Sequence, residues 1–76
     1  MLIKQIIYKI EAKLNQPGDN DDGKIAFSIK GAITNKLIQS HVRRTYLNAG
    51  WKEITFKTND DDQFVLPNHT YITLLT

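Results

Sequence analysis

Cysteine is absent from this chain, and that absence removes disulfide staples, thiolate zinc sites and cysteine nucleophiles together. A secreted domain of 76 residues normally needs such staples, so a reducing cytoplasm is the expected setting. Long hydrophobic runs are missing as well. The most apolar stretch, "MLIKQIIYKI", is interrupted by Lys4 and Lys9 and carries no small-residue cleavage site, so neither a membrane span nor a signal peptide is expected. Glycine and proline number only four and two, and each is read as a specific break in regular structure. Aromatic residues are also few: one Trp, three Tyr and three Phe.

What is present is mostly Ile, Lys, Asn, Asp and Thr. These are residues of A/T-rich codons, which points to a low-GC bacterium or a phage. The length implies one domain over residues 1–76, burying roughly 60–65% of the surface its unfolded chain exposes, with a thin stability margin. Opening on Met1 without a flanking linker, the chain is expected to be a complete small gene product. Its formal charge of +2 hides a separation: Asp19, Asp21 and Asp22 form one acidic run, and Asp60, Asp61 and Asp62 another. Setting those six aside leaves ten Lys/Arg against Glu11 and Glu53, a body with an excess of eight positive charges and two acidic tips.

Residues 6–14, "IIYKIEAKL", satisfy two periodicities. Alternation gathers Ile6, Tyr8, Ile10, Ala12 and Leu14, while helical spacing gathers Ile3, Ile6, Ile7, Ile10 and Leu14. The following "KIAFSI" alternates cleanly, and "NQPGDNDDG" between the two runs reads as a hairpin connection, so the first segment is expected to be a strand. From Thr34 the period changes. Thr34, Leu37, Ile38, His41, Val42, Thr45 and Ala49 make a helical stripe, with Thr34 as N-cap and Gly50 as the left-handed C-terminal stop. "WKEITFKT" and "TYITLLT" read as strands and "FVL" as a return strand ended by Pro67. The expected fold is α+β: a two-layer ββαββ arrangement in which an antiparallel sheet of four or five strands carries one helix on one face.

Several constellations invite functional readings. The α-helical side opposite the stripe carries Lys36, Gln39, Arg43 and Tyr46, with Arg44 and Leu47 on its flanks. Together with Trp51 and Lys52 it has the Arg/Tyr/Trp composition of protein-binding anchors, and a solvated helix face is the plainer alternative. Lys9, Lys13, Lys30 and Lys57 fall on the expected open sheet face. They would neutralise about four phosphates, enough for weak, salt-dependent nucleic-acid binding; a base-stacking platform would also need exposed aromatics. "DNDDG" fails the calcium-loop spacing, because counting from Asp19 puts Gly23 where the third ligand belongs, so no metal and no cofactor are expected and the aspartates are read as turn residues.

Catalysis has little support. Ser40 and His41 are adjacent on a helix and point apart; His41 falls in the apolar stripe, and His69 follows Pro67-Asn68 in a turn. The expected protein is therefore not an enzyme. It is a small cytoplasmic, phage-type binding protein that engages a larger host protein and modulates or inhibits it through Lys36, Arg43, Arg44, Tyr46, Trp51 and Lys52. The alternative is a weak nucleic-acid module using Lys9, Lys13, Lys30 and Lys57. Self-association through the apolar C-terminal strand is expected if that strand lies at a sheet edge.

Overall fold

A computed structural model describes residues 3–15 and 23–76. The elements run α1 (Ile3–Leu14), β1 (Lys24–Lys30), α2 (Lys36–Asn48), β2 (Glu53–Thr58) and β3 (His69–Leu75). The class is α+β as expected, but the details differ: there are two helices and three strands among the described residues. The first segment is helical, and "FVL" is a turn rather than a return strand. The expected hairpin connection, including Asp19, Asp21 and Asp22, lies outside the described residues.

The strand order is β1-β3-β2, and β3 runs antiparallel to both neighbours. β1 and β2 are thus parallel to each other and must be joined by a crossover, which α2 supplies. The last strand then fills the gap between them, giving a split β-α-β unit. "TYITLLT" is the centre of the sheet and not an edge, so dimerisation through that strand loses its premise. The actual edges are guarded. Lys9 donates its Nζ to the Lys30 carbonyl at 2.9 Å on the β1 side, and Arg43 Nε donates to the Ile54 carbonyl at 3.3 Å on the β2 side. Basic side chains at exposed edge carbonyls discourage edge-to-edge pairing.

Both helices lie on the same face, α1 against β1 and α2 against β2. That explains the first segment. α2 packs on β2 and leaves β1 uncovered, and α1 covers it. α1 supplies Ile6 and Ile10, both without solvent contact, to a core shared with Ile29, Ile33, Val42, Tyr46, Ile54, Ile72 and Leu74. Alternation would instead have buried Tyr8 and Ala12; both are exposed.

The second helix is rotated from the expected stripe. Gln39, Val42 and Tyr46 are its buried residues, whereas Leu37 is 81% exposed and His41 and Thr45 face solvent. The polar residue at 39 disguised the inward face. Its amide Nε2 donates to the Ile33 carbonyl at 2.7 Å, so burial costs little. The helix opens at Asn35 instead of Thr34: the Asn35 Oδ1 accepts from the amides of Leu37 (2.9 Å) and Ile38 (3.4 Å). Asn35→Ala should accordingly cost about 1 kcal/mol in chemical denaturation, while Thr34→Ala leaves the midpoint unchanged. The closing turn behaves as expected. Gly50, with φ of 107°, donates to Leu47, and Trp51 donates its amide to the Tyr46 carbonyl, the paired bonds of a Schellman motif.

Candidate functional site

The Schellman motif determines what becomes of the expected basic and aromatic patch. It folds Trp51 back over the helix end, where the indole packs half-buried against the core. Tyr46 is only 2% exposed, and its hydroxyl donates to Glu11 Oε1 at 2.8 Å. Burial, then the hydrogen bond and the negative charge of Glu11, push its phenol well above its ordinary range. Both aromatics are therefore structural contacts. Arg43 is engaged with the β2 edge and lies 3.9 Å from Glu53 Oε1, a half-exposed pair that contributes little to stability. Lys36 sits at the other end of α2, where its charge bears on Asp61; eight residues of helix separate it from Arg44, about 12 Å along the axis. Arg44 and Lys52 remain exposed. The structure does not bring these six residues together as one surface.

The lysines of the alternative reading fare differently. Lys9 and Lys13 belong to α1 and not to the sheet, yet they line one shallow groove of about 420 Å³ with Tyr8, Lys30 and His69. The helix brings them beside the β1 edge, and the Lys9–Lys30 hydrogen bond closes the contact. His69 Nδ1 sits 2.9 Å from the Pro67 carbonyl, which can only accept, so the ring donates from Nδ1. Lys57 lies across the sheet, in register with Tyr71.

The sheet face turned away from the helices is where the unexpected groups appear. Its rows follow from the register: Ser28, Tyr71 and Lys57 in one, Ala26, Thr73 and Thr55 in the next. Tyr71 is 39% exposed at the centre of this face. Beside it the 59–68 loop presents Phe64 and Leu66, which are 87% and 63% exposed, and these border a shallow groove of about 270 Å³ that also includes Ser28 and Asp62. Ser28 borders both grooves, so they adjoin. Sequence reasoning missed Phe64 by placing it in a strand. Tyr71 was readable, because inward Ile72 and Leu74 force it outward by alternation.

The described acidic turn is built by backbone chemistry. Asp61 Oδ2 accepts from the Thr58 amide and hydroxyl at 3.1 and 3.3 Å, and the amide bond lowers its carboxyl pKa. Asp62 Oδ1 accepts from the Phe64 amide at 3.0 Å, which fixes the start of the Phe64 segment. Among the described residues, no group of three His, Asp or Glu side chains could hold a metal ion, and no helix is long and apolar enough to cross a membrane. Comparison with protein-family models, with curated proteins and with solved structures yields no match to this chain.

Proposed function

We propose that this chain is a small non-enzymatic binding protein of the cytoplasm that presents its uncovered sheet face, with the adjoining α1 groove, to a larger partner. The observation carrying this reading is the exposed trio Phe64, Leu66 and Tyr71 on the one face the helices leave open. A domain with so thin a core gains by burying such side chains, and grouped exposed apolar residues mark interaction sites. The cytoplasmic setting rests on the cysteine-free composition. The non-enzymatic reading is supported by the separation of the two histidines: His41 lies on the solvent side of α2, His69 on the opposite layer against a backbone carbonyl.

A second reading keeps the expected host-protein target on the outer side of α2, where the 81% exposed Leu37 lies one helical turn from His41 and two from Arg44. A photo-crosslinking residue at position 64 or at position 44, introduced in the cells that make the protein, separates the two. Adducts are expected from position 64 and not from 44. The converse pattern would move the contact surface to α2.

A further inference from the structure

We infer that the partner of the open face is a single strand of nucleic acid, held by base stacking on Tyr71 and Phe64 and by phosphate contacts to Lys9, Lys13, Lys30 and Lys57. This rests on the open-face reading and names its ligand. The two grooves adjoin at Ser28, so an aromatic strip and a basic strip form one continuous path over the edge of β1. Along it the ring of Tyr71 has Lys57 as its cross-strand neighbour, and the 76% exposed Tyr8 stands beside Lys9 and Lys13. Lys9 donates one proton to the Lys30 carbonyl; an ammonium has three, so two stay available to a phosphate. Among the described residues, Asp62 is the acid that lines the two grooves, and its Oδ1 accepts from the Phe64 amide.

Charge complementarity selects a polyanion, and the aromatics select its form. Bases in a duplex hide their faces in the stack, whereas an unstacked strand can lay successive bases on flat rings while its phosphates follow the lysines. An acidic peptide would satisfy the lysines and leave Phe64 and Tyr71 without planar partners. The exposed Arg43, Arg44 and Asn48 of α2 lie outside both grooves, and stacking tolerates any base, so the expected ligand is single-stranded and bound with little sequence preference over about four nucleotides.

Fluorescence anisotropy with labelled oligothymidylate and oligouridylate tests the inference, with a duplex of equal length and polyglutamate as competitors. Four phosphate contacts predict a fall of about 50-fold in affinity between roughly 50 and 200 mM salt. Lys13→Ala and Lys30→Ala should each lower the log–log salt slope by about 0.7. Phe64→Ala, at a site too exposed to matter for folding, and Tyr71→Ala should each weaken binding about 5- to 150-fold. Absence of binding at the lower salt, equal affinity for duplex or polyglutamate, or two unaffected aromatic variants would overturn it. If position 64 crosslinks only to protein while the oligonucleotides fail, the open-face reading stands and the nucleic-acid inference falls. Adducts from position 44 alone remove both.

Discussion

Thr70→Val is expected to destabilise the domain by about 2–4 kcal/mol, although it replaces one β-branched side chain by another of nearly equal volume. Thr70 has no solvent contact and sits in the central strand. Its Oγ1 donates to the Gly31 carbonyl at 2.6 Å and accepts the Ile33 amide at 2.9 Å. Valine removes both bonds and leaves a buried acceptor and a buried donor unpaired, each costing about 1–3 kcal/mol. The loss compares with a total of only about 4–11 kcal/mol for a chain of this length, and each kcal/mol moves the midpoint of a domain this small by about 4–8 °C. Thr70→Ser keeps both bonds and should cost about 1 kcal/mol through its lost methyl. Thermal unfolding of the two variants side by side checks this; a valine variant as stable as the serine one would mean that the hydroxyl does not hold the loop.

The reason for so large an effect is positional. Residues 31–35 connect β1 to α2, and Thr70 pins them from the middle of the sheet. Gln39 adds its bond to the Ile33 carbonyl, and Gly31 donates to the carbonyl of Asn68, which takes a left-handed φ of 60°. The same polar cluster therefore fixes the start of the crossover helix and the end of the loop that carries Phe64. Loosening it should disturb the open face as well as the core.

That cluster also shows where the sequence was legible and where it was not. Ile25, Phe27 and Ile29, and likewise Ile54 and Phe56, alternate with polar or small neighbours, and their inward positions follow from local chemistry alone. Gly50 similarly announces its own left-handed turn. The identity of α1 did not follow locally, because Ile6, Ile10 and Leu14 fit both periods; what decides is tertiary, the β1 face that α2 leaves uncovered. The rotation of α2 was hidden for a related reason. Gln39 reads as outward until Ile33 is placed beside it, and Tyr46 reads as an interface anchor until Glu11 is found across the helix pair. Because Gln39 and Tyr46 are polar or amphipathic, the apolar periodicity of α2 points to Leu37 and His41 instead. The lysine set comes together through a helix whose sequence also alternates like a strand, so its convergence is a product of the fold and not of local pattern.

Raising the pH above 10 should expose the strut between the two helices. The Tyr46 phenol is held well above its ordinary value near 10, first by burial, then by its hydrogen bond to Glu11 and by that carboxylate's charge. In the unfolded chain the phenol releases its proton near pH 10; in the folded chain it retains it. The folded state thus binds more protons above pH 10, and the stabilisation, fully present below that pH, declines by about 1.4 kcal/mol per unit as pH rises toward the folded-state value. Between pH 10 and 12 the loss attributable to this one group is about 2–3 kcal/mol. The measurement is a difference, which isolates this one group: urea denaturation of the parent and of Tyr46→Phe at pH 8, 10, 11 and 12. The phenylalanine variant should be the less stable at pH 8, by about 1 kcal/mol for the lost hydrogen bond. It should lack the Tyr46 part of the alkaline decline, so the two stability curves converge and cross above pH 10. Curves that stay parallel would show that Tyr46 ionises without unfolding the pair of helices. Because α1 carries Lys9 and Lys13, a strut that fails at high pH would also scatter the basic groove, and residual affinity for an anionic strand should vanish together with the folded signal.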